Sequence, residues 1–414
     1  MAVLLIGTLD TKAAEIEFVR DLLRQAALGV RVIDVGTGPS ASQPDIPRQY
    51  VFQAAGTTLE AIQQANDRGK AVEAAARGVT RLALEMFGLG EVEGVMSLGG
   101  SAGTTIGTSA MRALPFGVPK LMVSTLASGQ VGPYVGVRDI CMLYSVVDFA
   151  GLNRMSRTVL TNAAGAMIGM VRQAQMRQGA LAQGGTPPPA DKPTITATMF
   201  GVTTPCVQAA RQDLEAAGYE VLVFHATGTG GRTMEALIRD GLVTGVLDIT
   251  TTELADELVG GILSAGPDRL TVAGLCGVPQ VVAPGALDMV NFGPRETVPE
   301  QFRHRRFYIH NPNVTLMRTT PEENDRLGQE IANKLSAARG PVALLLPLRG
   351  VSAIDRVGQP FWWPEADQAL FQSIRNWISP NVELIELDLH INDSEFAQAA
   401  ARTLLRLLHG VRVN

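Results

Sequence analysis

The sequence predicts an α/β protein built as two Rossmann-like, doubly wound domains whose mostly parallel sheets face a central cleft. Three observations carry this expectation. Apolar runs of strand length alternate with amphipathic stretches of helical period from end to end. Glycine is abundant, 43 of 414 residues, which fits a fold with many tight strand-to-helix turns. One segment, Gly184-Gly-Thr-Pro-Pro-Pro-Ala-Asp-Lys-Pro193, breaks the pattern and cannot continue a helix, and 414 residues exceed one ordinary core. The expected organisation is an N-terminal domain over 1–183, a Pro/Gly-rich linker over 184–193 and a C-terminal domain over 194–414.

In the first half, 2–7 is an apolar run that reads as a strand, and 11–27 places Ile16, Val19, Leu23 and Ala26 on one helical face. Residues 30–35 are the next strand, ending in Gly36-Thr-Gly-Pro39. Residues 57–88 read as helical with a break at Arg77-Gly78. Strands at 94–98, 117–123 and 139–147 follow, then a long Ala- and Met-rich helix over 151–178. The second half continues in the same style. Its strands fall at 194–202, 220–225, 243–249, 279–283, 306–309, 341–346 and 382–387, and its helices at 205–217, 232–241, 252–264, 321–338, 366–376 and 393–409. Gly218 and Gly340 suit helix C-caps, and Thr320-Pro-Glu-Glu323 reads as a capping box. Segments 284–293 and 310–313 read as polar loops, with Asn311 and Asn313 as turn residues.

A net charge of −5 argues against a nucleic-acid footprint, and the basic cluster Arg303-His-Arg-Arg306 reads as a solvated or interface patch. Cys141, Cys206 and Cys276 are far apart, which fits a reducing compartment, and Cys206 reads as a buried structural thiol. The chain has no apolar run of membrane-spanning length and no secretory pattern at its start, so the expected location is the cytoplasm, away from the membrane.

Ligands of parallel sheets sit beyond the carboxyl ends of the strands, so the polar residues there are the candidates. The richest segment is Leu98-Gly-Gly-Ser-Ala-Gly-Thr-Thr105, a strand end followed at once by small residues and a helix start. Gly99, Gly100, Ser101, Gly103, Thr104 and Thr105 are expected to cradle a phosphate or carboxylate with backbone N–H groups, hydroxyls and the helix dipole. The spacing matches neither a P-loop nor the dinucleotide fingerprint. Thr8, Asp10 and Lys12 follow the first strand. Lys12 at a helix start is electrostatically misplaced unless an anion lies beside it, and Asp10 could hold magnesium through water. The alternative there is that Asp10 or Thr11 only caps the helix. In the second half, Gly228, Gly230, Gly231 and Arg232 form a similar glycine run suited to an anion. His225, Asp248 and Asp288 are the candidate proton-transfer residues, Asp288 with His310 as a conceivable partner. Thr250 and Glu253 also match a capping box. No two of the cysteines have zinc-ligand spacing, and the metal, if any, stays open.

Several of these segments resemble one uncharacterised two-domain family, which includes the ATP-binding N-terminal region of the tomato mosaic virus resistance protein. The likeness rests on Gly7-Thr-Leu-Asp-Thr-Lys12, Leu98-Gly-Gly-Ser-Ala-Gly-Thr104, Tyr144-Ser-Val-Val-Asp148 and Gly151-Leu-Asn-Arg154. It continues in His225-Ala-Thr-Gly-Thr-Gly-Gly-Arg232, Asp248-Ile-Thr-Thr-Thr-Glu-Leu-Ala-Asp-Glu257, Pro284-Gly-Ala-Leu-Asp-Met-Val-Asn-Phe-Gly293 and His310 through Thr320. The resemblance implies two Rossmann-like domains, homodimerisation and ATP binding, and no known reaction. The further C-terminal domain of the plant relative is expected to be absent here. Three functions stay open at this point. They are a nucleotide-binding protein with ATP and magnesium, an enzyme acting on a small carboxylated or phosphorylated substrate anchored by Arg232, and a non-catalytic interaction protein.

Overall fold

A computed structural model describes residues 1–182 and 192–410, with 178–182 described by backbone alone. Residues 184–191 of the expected linker lie outside the described residues. The chain divides into two compact units, Met1–Pro189 and Ala190–Asn414.

Unit 1 runs β1 (Ala2–Gly7), α1 (Ala13–Gln25), β2 (Val30–Asp34), α2 (Arg48–Ala54), α3 (Leu59–Ala65), α4 (Arg68–Gly88), β3 (Val92–Gly99), α5 (Ser101–Ala113), β4 (Lys120–Ser124), the short α6 (Gly132–Val135), β5 (Cys141–Tyr144) and α7 (Arg154–Ala182). Its five strands are all parallel, in the order β2-β1-β3-β4-β5. Strand side chains alternate between faces, and each face carries its own core. Leu4 and Ile6 of β1 pack toward Phe52, Val79 and Ile106 of α2, α4 and α5. Val3 and Leu5 pack toward Ile16, Val19 and Leu23 of α1 and Leu160 and Met167 of α7.

Unit 2 runs β6 (Thr194–Met199), α8 (Thr204–Ala216), β7 (Glu220–His225), α9 (Thr229–Arg239), β8 (Gly245–Thr250), α10 (Thr252–Val259), α11 (Val272–Cys276) and β9 (Gln280–Gly285). It continues with β10 (Met289–Phe292), β11 (Phe307–Asn311), β12 (Val314–Arg318), α12 (Pro321–Ser336), β13 (Val342–Pro347), α13 (Pro364–Trp377), β14 (Glu383–Leu387) and α14 (Ser394–Leu408). Six strands form a parallel sheet in the order β14-β13-β9-β8-β6-β7. Helices α8 and α14 cover one face, while α10, α12 and α13 contribute to the core on the other. Counted within each unit, both sheets share one order, in which the first strand lies between the second and the third. The winding direction therefore reverses beside the first strand, and a crevice forms at its carboxyl end. Among the described residues no helix is long and apolar enough to cross a membrane.

Three departures from the sequence reading have physical causes. The helical stretch 57–88 breaks at Asn66, not at Arg77-Gly78. Asn66 turns left-handed at φ 46°, and the Asp67 side chain caps α4 by accepting from Lys70 N at 3.0 Å. Second, the expected polar loop 284–293 contains strand β10, and 314–318, to which the sequence reading assigned no element, is strand β12, while Asn311 and Asn313 stand at the hairpin turn as expected. β10, β12 and β11 pair antiparallel into a separate sheet, with Asn311 Oδ1 accepting from Asn313 N in the hairpin turn. Third, Gly340 is no helix cap. A side chain there would meet the backbone oxygen of Gly277 at 2.4 Å, so its role is close approach. The expected capping box at Thr320 is formed, with Glu323 N donating to Thr320 Oγ1 and Thr320 N to Glu323 Oε2.

Gly78 lies inside α4, where a Cβ would sit 1.9 Å from the Val51 carbonyl oxygen of α2. Helix propensity alone would reward Gly78→Ala by about 1 kcal/mol. Backbone cannot yield as a side chain does, so the variant is expected to lose roughly 1–3 kcal/mol instead. Urea denaturation measures the sign, and a gain in stability would contradict the close α2–α4 contact.

Candidate functional site

The crevice of unit 1 holds a cavity of about 820 Å3 at the carboxyl ends of β1 and β3. Thr8, Asp10, Thr11 and Lys12 form one side, and Gly99, Gly100, Ser101 and Gly103 another. Three helices begin at this cavity: α1, α4 and α5. The first N–H groups of a helix lack partners within it. For α4 the Asp67 side chain supplies one acceptor. For α1 and α5 no side chain caps the N-terminus. Both ends therefore direct unsatisfied donors and a positive partial charge toward the cavity.

The glycines explain how the backbone comes so close. A Cβ on Gly99 would meet the Cα of Gly103 at 2.8 Å, so the strand end and the first turn of α5 touch through hydrogens alone. Lys12 and Arg68 line the cavity, and neither has an ion-pair partner among the described residues. Val35, Ile62, Val72, Ile106 and Leu126 also line the cavity, so its lining combines uncapped helix ends and cations with apolar side chains.

Several expected contacts point elsewhere. Thr104 is buried, and its hydroxyl bonds to Ser124 Oγ at 2.7 Å, in the core behind the turn. Thr105 bonds back to Ser101 O at 2.9 Å along the helix, and neither threonine lines the cavity. Asp10 does not cap α1. Its Oδ2 accepts from the N–H groups of Thr37 and Gly38, at 3.1 and 2.8 Å, which pins the loop after β2 against the cavity. Its Oδ1 is buried without a hydrogen-bond partner. Thr8 does line the site, with its hydroxyl on Thr11 Oγ1 at 2.8 Å. Among the described residues no three His, Cys, Asp or Glu side chains converge as metal ligands.

The second glycine run cradles an anion of its own. Oε1 of Glu253, fully buried, accepts from Gly228 N at 2.7 Å and Gly231 N at 3.0 Å, so Glu253 caps α9 from the neighbouring helix α10. The expected Thr250–Glu253 capping box does not form for that reason. A side chain on Gly231 would collide with the Glu253 carboxylate, and one on Gly230 with the His225 carbonyl. Arg269, also fully buried, donates to Glu253 Oε2 at 2.6 Å and doubly to Asp248, at 2.5 and 2.7 Å. Glu235 closes the group, with an oxygen 3.4 Å from Arg269 Nη1 and N–H groups of Leu270 and Val272 as donors. Burial works against the charge on Arg269, but Asp248 and Glu253 hold its pKa well above the ordinary value. Burial pushes the Glu235 carboxyl up.

The three candidate proton-transfer residues fall into separate networks. Asp248 is spent on Arg269 and on the hydroxyl of Thr198, 2.6 Å away. His225 is exposed at the end of edge strand β7, its ring 5.2 Å from that of Phe200. Asp288 is fully buried, and its Oδ2 accepts from Ser352 Oγ at 2.7 Å, while His310 packs near Tyr308. Arg232 is exposed, with Nε 3.3 Å from Gly228 O. Cys206 is a buried structural thiol, pushed up to about 12 by burial. The basic cluster is partly tied down, with Arg305 on Glu323 and Arg306 over the Trp363 ring. Sequence reasoning missed Arg68, Gln63 and Asn66. The signal for them was the Asn66-Asp67 pair, a turn and cap lying inside an otherwise helical stretch.

Comparison with known proteins gives the following. Residues 1–176 match the description "Uncharacterised protein family (UPF0261) N-terminal domain", and residues 192–408 match its "C-terminal domain". A "UPF0261 protein" of Clostridium tetani is 50% identical over 409 residues, covering 98% of both chains. A second UPF0261 protein, from Mesorhizobium japonicum, is 47% identical, covering 96% of this chain and 97% of its own. The ToMV resistance protein Tm-1(GCR237) of Solanum lycopersicum is 40% identical over 97% of this chain, which spans 55% of the tomato protein.

Asp288 yields a pH prediction. Burial first, and the nearby Asp355 second, raise its carboxyl from 3.8 to about 7. The folded state thus binds this proton more tightly than the unfolded chain. Its contribution to stability is greatest below about pH 4 and is lost as pH rises toward 7. Asp288→Asn keeps an acceptor for Ser352 and cannot ionise. Its melting temperature relative to the unmodified protein is expected to rise between pH 5 and pH 8. A difference constant across that range would contradict the buried, proton-holding state.

Proposed function

The chain belongs to the uncharacterised protein family UPF0261, and on that footing we propose that its N-terminal unit binds a nucleotide, with ATP as the ligand that fits. One observation carries the reading. Two helix N-termini without side-chain caps, α1 and α5, open on one cavity together with two cations that have no ion-pair partner among the described residues, Lys12 and Arg68. The lining also holds Asp10, Asp67 and Asp148, which accept from the backbone N–H groups of Thr37 and Gly38, of Lys70 and of Phe149, so the uncapped helix N–H groups, Lys12 and Arg68 are left for phosphate oxygens. The triphosphate lies against the first turn of α5, with Lys12 and Arg68 as counter-charges. The apolar side chains of Val35, Ile62, Val72 and Ile106 take the base, and Gln63 and Asn66 stand beside it with amide groups.

Magnesium enters this reading as a companion of the phosphates, held by them and by water, with Asp10, whose Oδ2 is engaged by Thr37 and Gly38, at the cavity edge. The glycine run of unit 2 is left out, because Glu253 already accepts from its N–H groups. The reading takes the protein as a homodimer, as the family resemblance implies, with the cytoplasm as the location expected from the sequence, and extends to binding rather than to a reaction.

Calorimetric titration with ATP, with and without magnesium and with AMP as comparator, tests it. Saturable ATP binding is expected, and Lys12→Ala is expected to weaken it at least about tenfold, the equivalent of 1.4 kcal/mol. Arg68→Ala is expected to weaken ATP more than AMP. Unchanged affinity in Lys12→Ala, or no heat with any nucleotide, would contradict the assignment.

A further inference from the structure

A second cavity, of about 1150 Å3, lies in unit 2 at the carboxyl ends of β13 and β14, where Leu348, Gly350 and His390 form part of its wall. It shares no residue with the nucleotide cavity of unit 1. Its wall includes one member of a buried polar cluster. Arg318, fully buried, donates Nη2 to Asp367 Oδ1 at 2.7 Å and lies 3.5 Å from Asp355 Oδ1. Its other donors go to Phe361 O at 2.7 Å and Thr319 Oγ1 at 2.9 Å. Asp288 adds a third carboxyl acting on the same group, so one guanidinium serves three acids.

Asp367 is the member that reaches the cavity. The residue is all but buried, at 8% exposure, yet its Oδ2 has no hydrogen-bond partner among the described residues. Burial and the neighbouring Asp355 push this carboxyl up to about 8, so near neutral pH it carries a proton and can donate as well as accept.

The charge of the remaining wall is largely balanced. Arg349 is held bidentate by Asp388 at 2.8 and 2.6 Å, Arg375 by Glu386 at 2.7 and 2.9 Å, and Arg356 pairs with Asp393 at 3.4 Å. Both ring nitrogens of His390 are taken, by Ser352 O and Asn392 N. Glu365 is exposed and solvated. No surplus of cations remains to draw in an anion. What remains unengaged is the Asp367 oxygen, the Gln368 amide, which has no partner among the described residues, and the indole of Trp362, 43% exposed. Two of these groups can each donate and accept, and the third offers an aromatic face.

That set complements a molecule with many hydroxyls and a flat C–H face. Hydroxyls need partners that both donate and accept, and the C–H face of a sugar ring is apolar enough to lie on an indole. We propose that this cavity binds a neutral sugar, with Trp362 as the stacking face and Asp367 and Gln368 as partners of its hydroxyls.

Saturation-transfer NMR on the full chain, with D-glucose, D-xylose and maltose as probes and D-gluconate as charged comparator, tests the proposal. Transfer to ring protons of at least one neutral probe is expected. Trp362→Ala and Gln368→Ala change exposed side chains, and each is expected to weaken that transfer, Trp362→Ala abolishing it. Asp367→Asn keeps both an acceptor for Arg318 and a donor for the ligand, and is expected to retain binding. Lys12→Ala is expected to leave it unchanged, which separates this site from the nucleotide cavity. No transfer to any neutral probe from folded protein would overturn the proposal, as would transfer that survives Trp362→Ala or a preference for gluconate.

Discussion

Backbone N–H groups at the carboxyl edge of a parallel sheet must find acceptors, and what supplies them sets the character of each unit. In unit 2 the acceptor is internal. Glu253 takes two N–H groups of the β7–α9 turn and, through Arg269, is joined to Asp248 on the central strand β8 and to Glu235 on α9. The turn, two helices and a strand thus depend on one buried ionic group. Breaking one partner out of such a group costs about 3–5 kcal/mol, because a buried charge is left without its counter-ion. In unit 1 the corresponding donors, at the starts of α1 and α5, face a cavity instead.

The two crevices are alike in strand order and differ in filling. Beyond β6, the carbonyl of Val202 accepts from Ala353 N and from Asn392 Nδ2, each at 2.9 Å, and Thr203 shares a hydroxyl bond with Thr250. The end of β8 and the segments following β13 and β14 therefore close over the carboxyl end of β6. Beyond β1, the loop 36–38 is held back by Asp10, and the strand ends open on a cavity lined by Lys12 and Arg68. The same winding rule that builds both sheets leaves the carboxyl end of the first strand open on a cavity in unit 1 and covered in unit 2.

The sequence made the architecture legible because two periods dominate it. Alternate residues of β1 feed opposite cores, and α1 shows one apolar face, so both elements could be read from hydrophobicity alone. The Gly228–Gly231 run was legible as an anion cradle, and the anion it holds is a side chain of the same chain, Glu253. Its identity was hidden, because Glu253 lies more than twenty residues on and matched a local capping pattern. Thr104 illustrates the converse. In sequence it looks like one more hydroxyl of the cradle, but helical rotation turns it into the core toward Ser124. Strand β10 was missed because its partner β12 is remote in sequence, and β12 because Asn and Pro just before it signalled a turn. Arg68 became visible only when the Asn66-Asp67 break placed it at the start of α4, on the cavity.

Hydrogen exchange read by mass spectrometry, with and without ATP, addresses the contrast between the two glycine turns most directly. Ligand binding at unsatisfied helix N-termini should slow exchange in the peptides covering 8–16 and 99–105 and leave 225–232 unchanged, since Glu253 already holds that turn. Protection at 225–232 without protection at 99–105 would contradict the account and move the anion site to unit 2.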